Sequence, residues 1–295
     1  MIGPRLGFPA QFRRTGGDHR PTKAAYALPT LFTAGNMFLG FVSVMQAFEA
    51  SLQYSSGDAA GAAAHFSVAA KAIGYAMVLD GLDGRIARMT NTTSDFGKEM
   101  DSLADVITFG IAPAVLAFTW GVYGIDTAGS SLVRDQILTA GYFTCFLFLA
   151  CGSARLARFN ITTNPVPTNP GRPDRKYFVG VPIPAAASLV AAIVYASGGH
   201  RLEWWPLVLG WIALMAGLGL LMVSTWRYRS FKDLNLMRPR SPILFVILAS
   251  MIFLMWNYSQ LLLLTMGVLY VGSGVVVRIA GLLNRAFKKS EVPAQ

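Results

Sequence analysis

The chain has 295 residues, 54% hydrophobic and only 14% charged, with a mean hydropathy of +0.47. Soluble domains carry about 25% charged residues, so an ordinary soluble enzyme is excluded and an integral membrane protein is indicated. The net charge of +10 would suit nucleic acid, but no aromatic-interleaved basic patch or known module is present, which excludes that partner.

Residues 1–25 read as a basic, Gly- and Pro-containing tail without the apolar core of a cleavable signal. Apolar runs near the ~20 residues needed to cross a bilayer follow at 30–50, 60–79, 103–124, 137–154, 179–197, 204–225, 242–257 and 260–281. The fold class expected is therefore all-α, with about eight transmembrane helices and residues 26–290 as one membrane domain. The second run is rich in Ala and interrupted by His65 and Lys71; Lys71 is expected to snorkel. Cys145 and Cys151 fall in one span, without metal-ligand spacing, and read as small buried residues. "VPIP" at 181–184 is expected to kink the start of the fifth span.

Charge distribution sets the topology. With a cytoplasmic N-terminus and eight alternating spans, 22 of the 25 Lys and Arg residues face the cytoplasm. Arg134 and Arg201 lie opposite, and Lys71 falls within a span. That is the positive-inside pattern, with both termini cytoplasmic and an added attraction for anionic membrane lipids. His65 and His200 fall on the outer side, away from the polar inner segments.

Between residues 77 and 109 five aspartates and a glutamate interrupt the apolar chain, although carboxylates are costly in a bilayer. Asp80 and Asp83 share a helix face continued by Gly84 and Ala87; Asp101 and Asp105 share a face with Gly97. The polar stretch "MTNTTSD" between them reads as a turn, so the two helices are antiparallel neighbours whose carboxylates can meet. Four converging carboxylates repel one another unless a cation lies between them. Their all-oxygen character suits Mg²⁺ or Mn²⁺, and four such groups can hold two ions that clamp a phosphoryl group. Gly84, Ala87 and Gly97 leave room for a phosphate, which Arg88 can grip with its planar fork. Simple ion pairing with Arg85, Arg88 and Lys98 is the other reading, and it is the one favoured for Asp95 and Glu99.

The pattern Asp80-x2-Asp83-Gly84-x2-Ala87-Arg88-x8-Gly97-x3-Asp101-x3-Asp105 fixes eight residues over 26 positions. It resembles the CDP-alcohol phosphotransferase signature at every fixed position. The resemblance implies a six-helix core, here with two extra C-terminal helices, that displaces CMP from a CDP-linked lipid with an alcohol. It implies Asp80, Asp83, Asp101 and Asp105 as metal ligands, with Asp105 also the catalytic base. By the same resemblance Asp80, Gly84, Ala87, Arg88 and Gly97 line the CDP pocket, with Asn36 and Ser94 as further candidates. A homodimer in the cell (inner) membrane is implied as well.

The signature is shared by enzymes acting on serine, glycerol phosphate, inositol phosphate and choline. The stretches "LPTLFTAGNMFLGF" (28–41), "TNTTSDFGKEMDSLADVITFGIAPA" (90–114), "ARLARFNI" (154–161), "YFVGVPIPAAA" (177–187) and "LMVSTWRYRSFKDLNL" (221–236) resemble the phosphatidylserine synthase branch. That implies CDP-diacylglycerol and L-serine as substrates. Arg155 and Arg158, three apart near the inner end of the fourth span, are candidates for the serine carboxylate or a lipid phosphate, or for anchoring that helix. Another acceptor alcohol remains the near alternative, and a cation transporter or channel the distant one. Asn36, inside the first span, is expected to bond across helices or to the nucleotide, because an unpaired amide there is costly.

Overall fold

The computed structural model describes residues 23–89, 94–125, 131–163, 177–224, 227–229, 258–274 and 276. Two long helices, α1 (Lys23–Ser55) and α2 (Ala59–Met89), form an antiparallel hairpin. Its turn uses Gly57 at a φ of 92° and Asp58, whose Oδ1 accepts from the Gly61 N–H at 2.9 Å. Next comes a continuous rod of α3 (Asp95–Asp105), a π-helical segment (Val106–Ile111) and α4 (Ala112–Gly121). Then follow α5 (Ser131–Thr163), β1 (Tyr177–Val179), α6 (Ile183–Ala196), α7 (Trp205–Val223), β2 (Arg227–Arg229) and α8 (258–274).

Among the described residues the architecture is all-helical apart from the β1–β2 ribbon, which is antiparallel with Phe178 opposite Tyr228. Among the described residues, five segments are long and apolar enough to cross a membrane: Thr30–Ser55, Ala59–Ile86, Phe96–Gly121, Ser131–Ile161 and Trp205–Val223. The chain is thus a multi-pass membrane protein. The fifth expected run appears as the 14-residue α6, and α8 overlaps the eighth. The seventh, 242–257, lies outside the described residues, as do the tail 1–22 and the loop 164–176.

"VPIP" does not kink a helix. Pro182 is the N-cap of α6 and Pro184 sits in its first turn, where the missing N–H has no helical partner to lose. The prolines start the helix, and the residues before them are free to form the ribbon. Gly180 makes that junction: its φ is 76°, and a Cβ there would run into the carbonyl of Met222.

The α1–α2 interface explains the position of everything else. Thr33, Asn36, Gly40, Ser43, Ala47 and Ala50 of α1 are buried at alternating spacings of three and four. On α2 the same rhythm runs through Ala62, Phe66, Ala69, Ile73 and Ala76, and its continuation falls on Asp80 and Asp83. Small residues at such seams let backbones approach closely, which is how helices gain packing energy in lipid. The aspartates face inward because they occupy seam positions. The opposite face of α2 (Val68, Lys71, Tyr75, Val78 and Leu82) is exposed, with Lys71 Nζ 5.2 Å from the centre of the Tyr195 ring.

The π-helical segment lies directly after Asp105. Pro113 cannot donate to the carbonyl four residues earlier, and the ladder is re-registered so that the Ala112 N–H reaches the Ile107 carbonyl. Thr108 of this segment donates through Oγ1 to the Asn36 carbonyl at 3.1 Å. Gly40 permits the approach: a Cβ there would sit 2.6 Å from Thr108 Oγ1 and 2.8 Å from Thr108 Cα.

The end of the bundle away from the aspartates is tied by Arg201. Its guanidinium lies over Tyr54 at 4.3 Å and near Phe66 at 5.8 Å and Tyr123 at 6.0 Å. It donates to the carbonyls of Thr119 and Trp120 at the end of α4, a favourable site for a cation. His65 is occupied structurally, between Gln46 Oε1 at 2.7 Å and Gln53 Nε2 at 2.9 Å. Cys145 is buried, Cys151 half-buried, and both are free thiols.

Two stability outcomes follow. Gly40→Ala should cost about 1–3 kcal/mol by overpacking, lower the unfolding temperature in detergent, and reduce turnover because Asp105 moves with Thr108. Arg201→Leu should destabilise by roughly 1.5–3 kcal/mol, the scale of charge-assisted hydrogen bonds, while leaving substrate KM values unchanged. Thermal unfolding and steady-state kinetics on both variants check this, and a stable Gly40→Ala protein would contradict the close-approach role.

Candidate active site

The seam delivers Asp80 and Asp83 from α2, and the C-terminal half of α3 delivers Asp101 and Asp105. α3 begins at Ser94, in extended backbone, whose side chain accepts from the Gly97 N–H at 3.0 Å. This is an N-cap, which satisfies one of the otherwise orphaned donors of the first turn. Gly97 fits tightly under that cap, since a Cβ would lie 3.1 Å from Ser94 Oγ. Ser94 and Gly97 therefore set where α3 starts and how its two carboxylates are phased.

One carboxylate oxygen from each of Asp80, Asp101 and Asp105 lies within 4.8 Å of the other two, and all three residues are half-buried. Asp80 and Asp105 are in side-chain hydrogen-bond contact. Asp83 stands at the edge of this trio, 5% exposed, with Oδ2 accepting from Thr33 Oγ1 at 3.2 Å. It remains within electrostatic reach of Asp80 and Asp101. The sequence spacing predicts one group of four; the structure gives a group of three and a fourth carboxylate held by α1.

The donor set fits a hard divalent cation. Asp101 Oδ1 and Asp105 Oδ1 are buried without a hydrogen-bond partner, and orphaned carboxylate oxygens are costly in a low-dielectric site. A cation between the carboxylates would satisfy those oxygens and cancel the repulsion. Oxygen-only ligation matches Mg²⁺ or Mn²⁺ better than soft metals.

On α1, one turn beyond Thr33, Asn36 is fully buried, and neither its Oδ1 nor its Nδ2 has a hydrogen-bond partner. Of the two uses predicted for this amide, the bond across helices is not made. Gly84 is exposed at the end of α2; the side chains of Ala87 and Arg88 lie outside the described residues.

α5 carries both arginines. Arg155 is 9% exposed, its Nε has no partner, and it is within electrostatic reach of Asp105. Arg158 donates through Nη1 to the Val223 carbonyl at 3.3 Å, binding the end of α7. Asn160 donates through Nδ2 to Ser102 Oγ at 2.8 Å, which ties α5 to the helix bearing Asp101 and Asp105. Thr33, Thr108 and Asn160 are missed by the sequence reading. Thr33 is detectable only once its place one turn before Asn36 is set against Asp83 across an antiparallel pair.

A family model described as CDP-alcohol phosphatidyltransferase matches residues 26–221. The chain is 40% identical over 218 residues to a protein of Helicobacter pylori strain J99 named CDP-diacylglycerol--serine O-phosphatidyltransferase, covering 73% of this chain and 77% of that one. Proteins of the same name from Bacillus subtilis and Saccharomyces cerevisiae are similar. The first is 31% identical over 205 residues, 70% of this chain and 91% of its own length. The second is 40% identical over 119 residues, 40% of this chain and 38% of its own length.

Thr33 supplies a direct test of the geometry. Thr33→Val removes the donor to Asp83 at nearly constant volume and should raise the metal concentration needed for half-maximal activity, whereas Thr33→Ser should not. Metal-titrated assays of both variants decide the matter; equal titration curves would separate Asp83 from the metal centre.

Proposed function

The chain belongs to the CDP-alcohol phosphatidyltransferase family, and from that premise we propose that it transfers the phosphatidyl group of CDP-diacylglycerol to the hydroxyl of L-serine, giving phosphatidylserine and CMP. The observation that carries this reading is the half-buried trio of Asp80, Asp101 and Asp105, with Oδ1 of Asp101 and of Asp105 orphaned, together with the activity for which the relatives are named.

In this reading Asp80, Asp83, Asp101 and Asp105 hold Mg²⁺ or Mn²⁺, as two ions. When bound, the ions neutralise the diphosphate and stabilise charge developing on the departing CMP. The chain supplies the rest. Asp105 accepts the proton of the serine hydroxyl, whose own pKa lies far above neutrality. The serine oxygen forms a bond to the phosphorus that carries the diacylglycerol, and the bond from that phosphorus to the CMP oxygen breaks. Gly84, Ala87 and Gly97 leave space for the diphosphate beside Arg88. The Asn36 amide is fully buried and unpartnered, so it serves the nucleotide headgroup and gains the partners it otherwise lacks. Arg155, buried and within electrostatic reach of Asp105, receives the serine carboxylate. Arg158 is assigned to the end of α7.

The membrane arrangement belongs to the same proposal. Residues 26–290 form one domain of eight spans, a six-helix core and two further helices, behind a basic tail at 1–25. The arginine and lysine distribution supports cytoplasmic termini and a cytoplasmic active site in the cell's inner membrane. A homodimer is the expected assembly. The carboxylates lie in the half of α2 and in the half of the α3–α4 rod nearest the turn between them, which favours chemistry near one membrane face over ion transport.

One assay tests the function. Purified protein with CDP-diacylglycerol and Mn²⁺ is offered serine, glycerol 3-phosphate, inositol phosphate and choline, and CMP release is scored. Serine alone should support release, and EDTA should abolish it until Mg²⁺ or Mn²⁺ is restored. Asp105→Asn should keep CDP-diacylglycerol binding and lose roughly 10²–10⁴-fold in turnover, the usual contribution of a general base. Release with another acceptor alone, or full activity of Asp105→Asn, would overturn the assignments.

A further inference from the structure

The last turns of α5 are held from two sides. Asn160 Nδ2 donates to Ser102 Oγ of α3 at 2.8 Å, and Ser102 Oγ donates in turn to the Lys98 carbonyl at 2.9 Å. The hydroxyl is thus used in both directions, as acceptor toward α5 and as donor within α3. Arg158 stands two residues before Asn160, about 200° around the helix, and donates to the Val223 carbonyl at the end of α7.

A second contact fixes α5 against the same rod. Gly110 lets Leu149 approach, since a Cβ there would lie 2.8 Å from Leu149 Cδ1. Leu149 and Asn160 are eleven residues apart, about three turns of helix, and so lie on one face of α5. The two elements run antiparallel, with Asn160 meeting Ser102 and Leu149 meeting Gly110. Asp105 lies between these contacts on the rod, three residues from Ser102, and Arg155 lies between them on α5, five residues from Asn160. The paired contacts therefore bring Asp105 and Arg155 to one height. Arg155 is also one turn beyond Gly152, where a Cβ would lie 2.6 Å from Ile183 Cδ1 and 3.6 Å from Met222 Sδ. It shares that inward flank and is 9% exposed.

α3 has anchors of its own. Ser94 caps its start, and Thr108 of the π-helical segment bonds the Asn36 carbonyl of α1. The end of α5 is accordingly the element that the Asn160–Ser102 bond positions. A shift of one residue along a helix is about 1.5 Å, and a misplacement of about 1 Å can cost 10²-fold in rate.

We propose that Asn160 is a positioning residue for the acceptor alcohol. Through Ser102 it sets the height of α5 on the rod and keeps Arg155 level with Asp105, so that serine is held by its carboxylate with its hydroxyl at the base. The inference rests on the reading of Arg155 as the contact for the serine carboxylate.

The test uses the full-length protein with Asn160→Leu, Ser102→Ala, the double variant of these two, Ser102→Thr and Arg155→Lys. CMP release gives KM for serine, KM for CDP-diacylglycerol and the Mn²⁺ concentration for half-maximal rate, and thermal unfolding is recorded for each protein. Asn160→Leu and Ser102→Ala should each raise the serine KM about fivefold, the effect of one neutral hydrogen bond. Ser102→Thr, which keeps the hydroxyl, should not. The double variant should be no worse than either single one, the signature of two groups acting through one contact. The CDP-diacylglycerol KM and the Mn²⁺ midpoint should not change. Alanine is the better helix former, so Ser102→Ala keeps α3 intact and tests the bond even where Asn160→Leu fails to fold. An unchanged serine KM in Ser102→Ala, effects that add, or a raised Mn²⁺ midpoint in place of a raised serine KM overturns the role of Asn160, while Arg155 stands if Arg155→Lys raises the serine KM. If Arg155→Lys leaves it unchanged, the assignment of Arg155 falls and the inference falls with it.

Discussion

Like-charged carboxylates cannot be brought together inside a membrane protein unless the backbones carrying them are held closer than their repulsion would allow. Here that constraint is met by the seam between α1 and α2. Ala, Gly, Ser and Thr occupy most of its positions, and they lose little side-chain entropy on packing. The seam runs unbroken from the apolar end into the acidic one, so the packing that stabilises the hairpin also aims Asp80 and Asp83. Thr33, at the acidic end of α1, turns from a packing residue into a hydrogen-bond donor for Asp83.

The second arm of the site depends on a different device. α3 is capped by Ser94 at one end and continues into a π-helical segment at the other. Such segments add a residue within the turn and recur at functional sites. In this protein the added residue allows Thr108 to grip α1 while Asp101 and Asp105 face α2, two tasks that a regular helix through Pro113 would not reconcile. Asn160 steadies the same helix from α5 through Ser102. The far end of the bundle is secured by Arg201 in its ring of aromatic side chains. Rigidity at both ends leaves the carboxylate trio with one arrangement, and a preorganised charge site is what phosphoryl-group chemistry demands of a protein.

Much of this was legible in the sequence because it follows from periodicity and charge. The spans were visible as apolar runs, the acidic pair on each helix as i+3 and i+4 spacings, and their meeting as a consequence of a short polar turn. What the sequence hid was of two kinds. Prolines are ambiguous: "VPIP" starts α6 instead of bending it, and Pro113 produces a π-helical segment, because the effect of a missing N–H depends on where the helix begins. Contacts between distant residues were invisible for another reason. Thr33 meets Asp83 across 50 residues, and Thr108 meets Asn36 across 72. The two arginines shared one prediction, to which the structure adds the bond from Arg158 to the end of α7.

The account turns on the trio being a cation site and not a set of protonated carboxyl groups. Binding of Mn²⁺ to the purified, substrate-free protein, followed by electron paramagnetic resonance, tests this most directly. Wild-type protein should sequester Mn²⁺ and broaden its six-line signal. Asp80→Asn, Asp101→Asn and Asp105→Asn should each weaken that binding with the fold retained. Undiminished Mn²⁺ binding in all three folded variants, or no binding by the wild-type protein, would contradict the account.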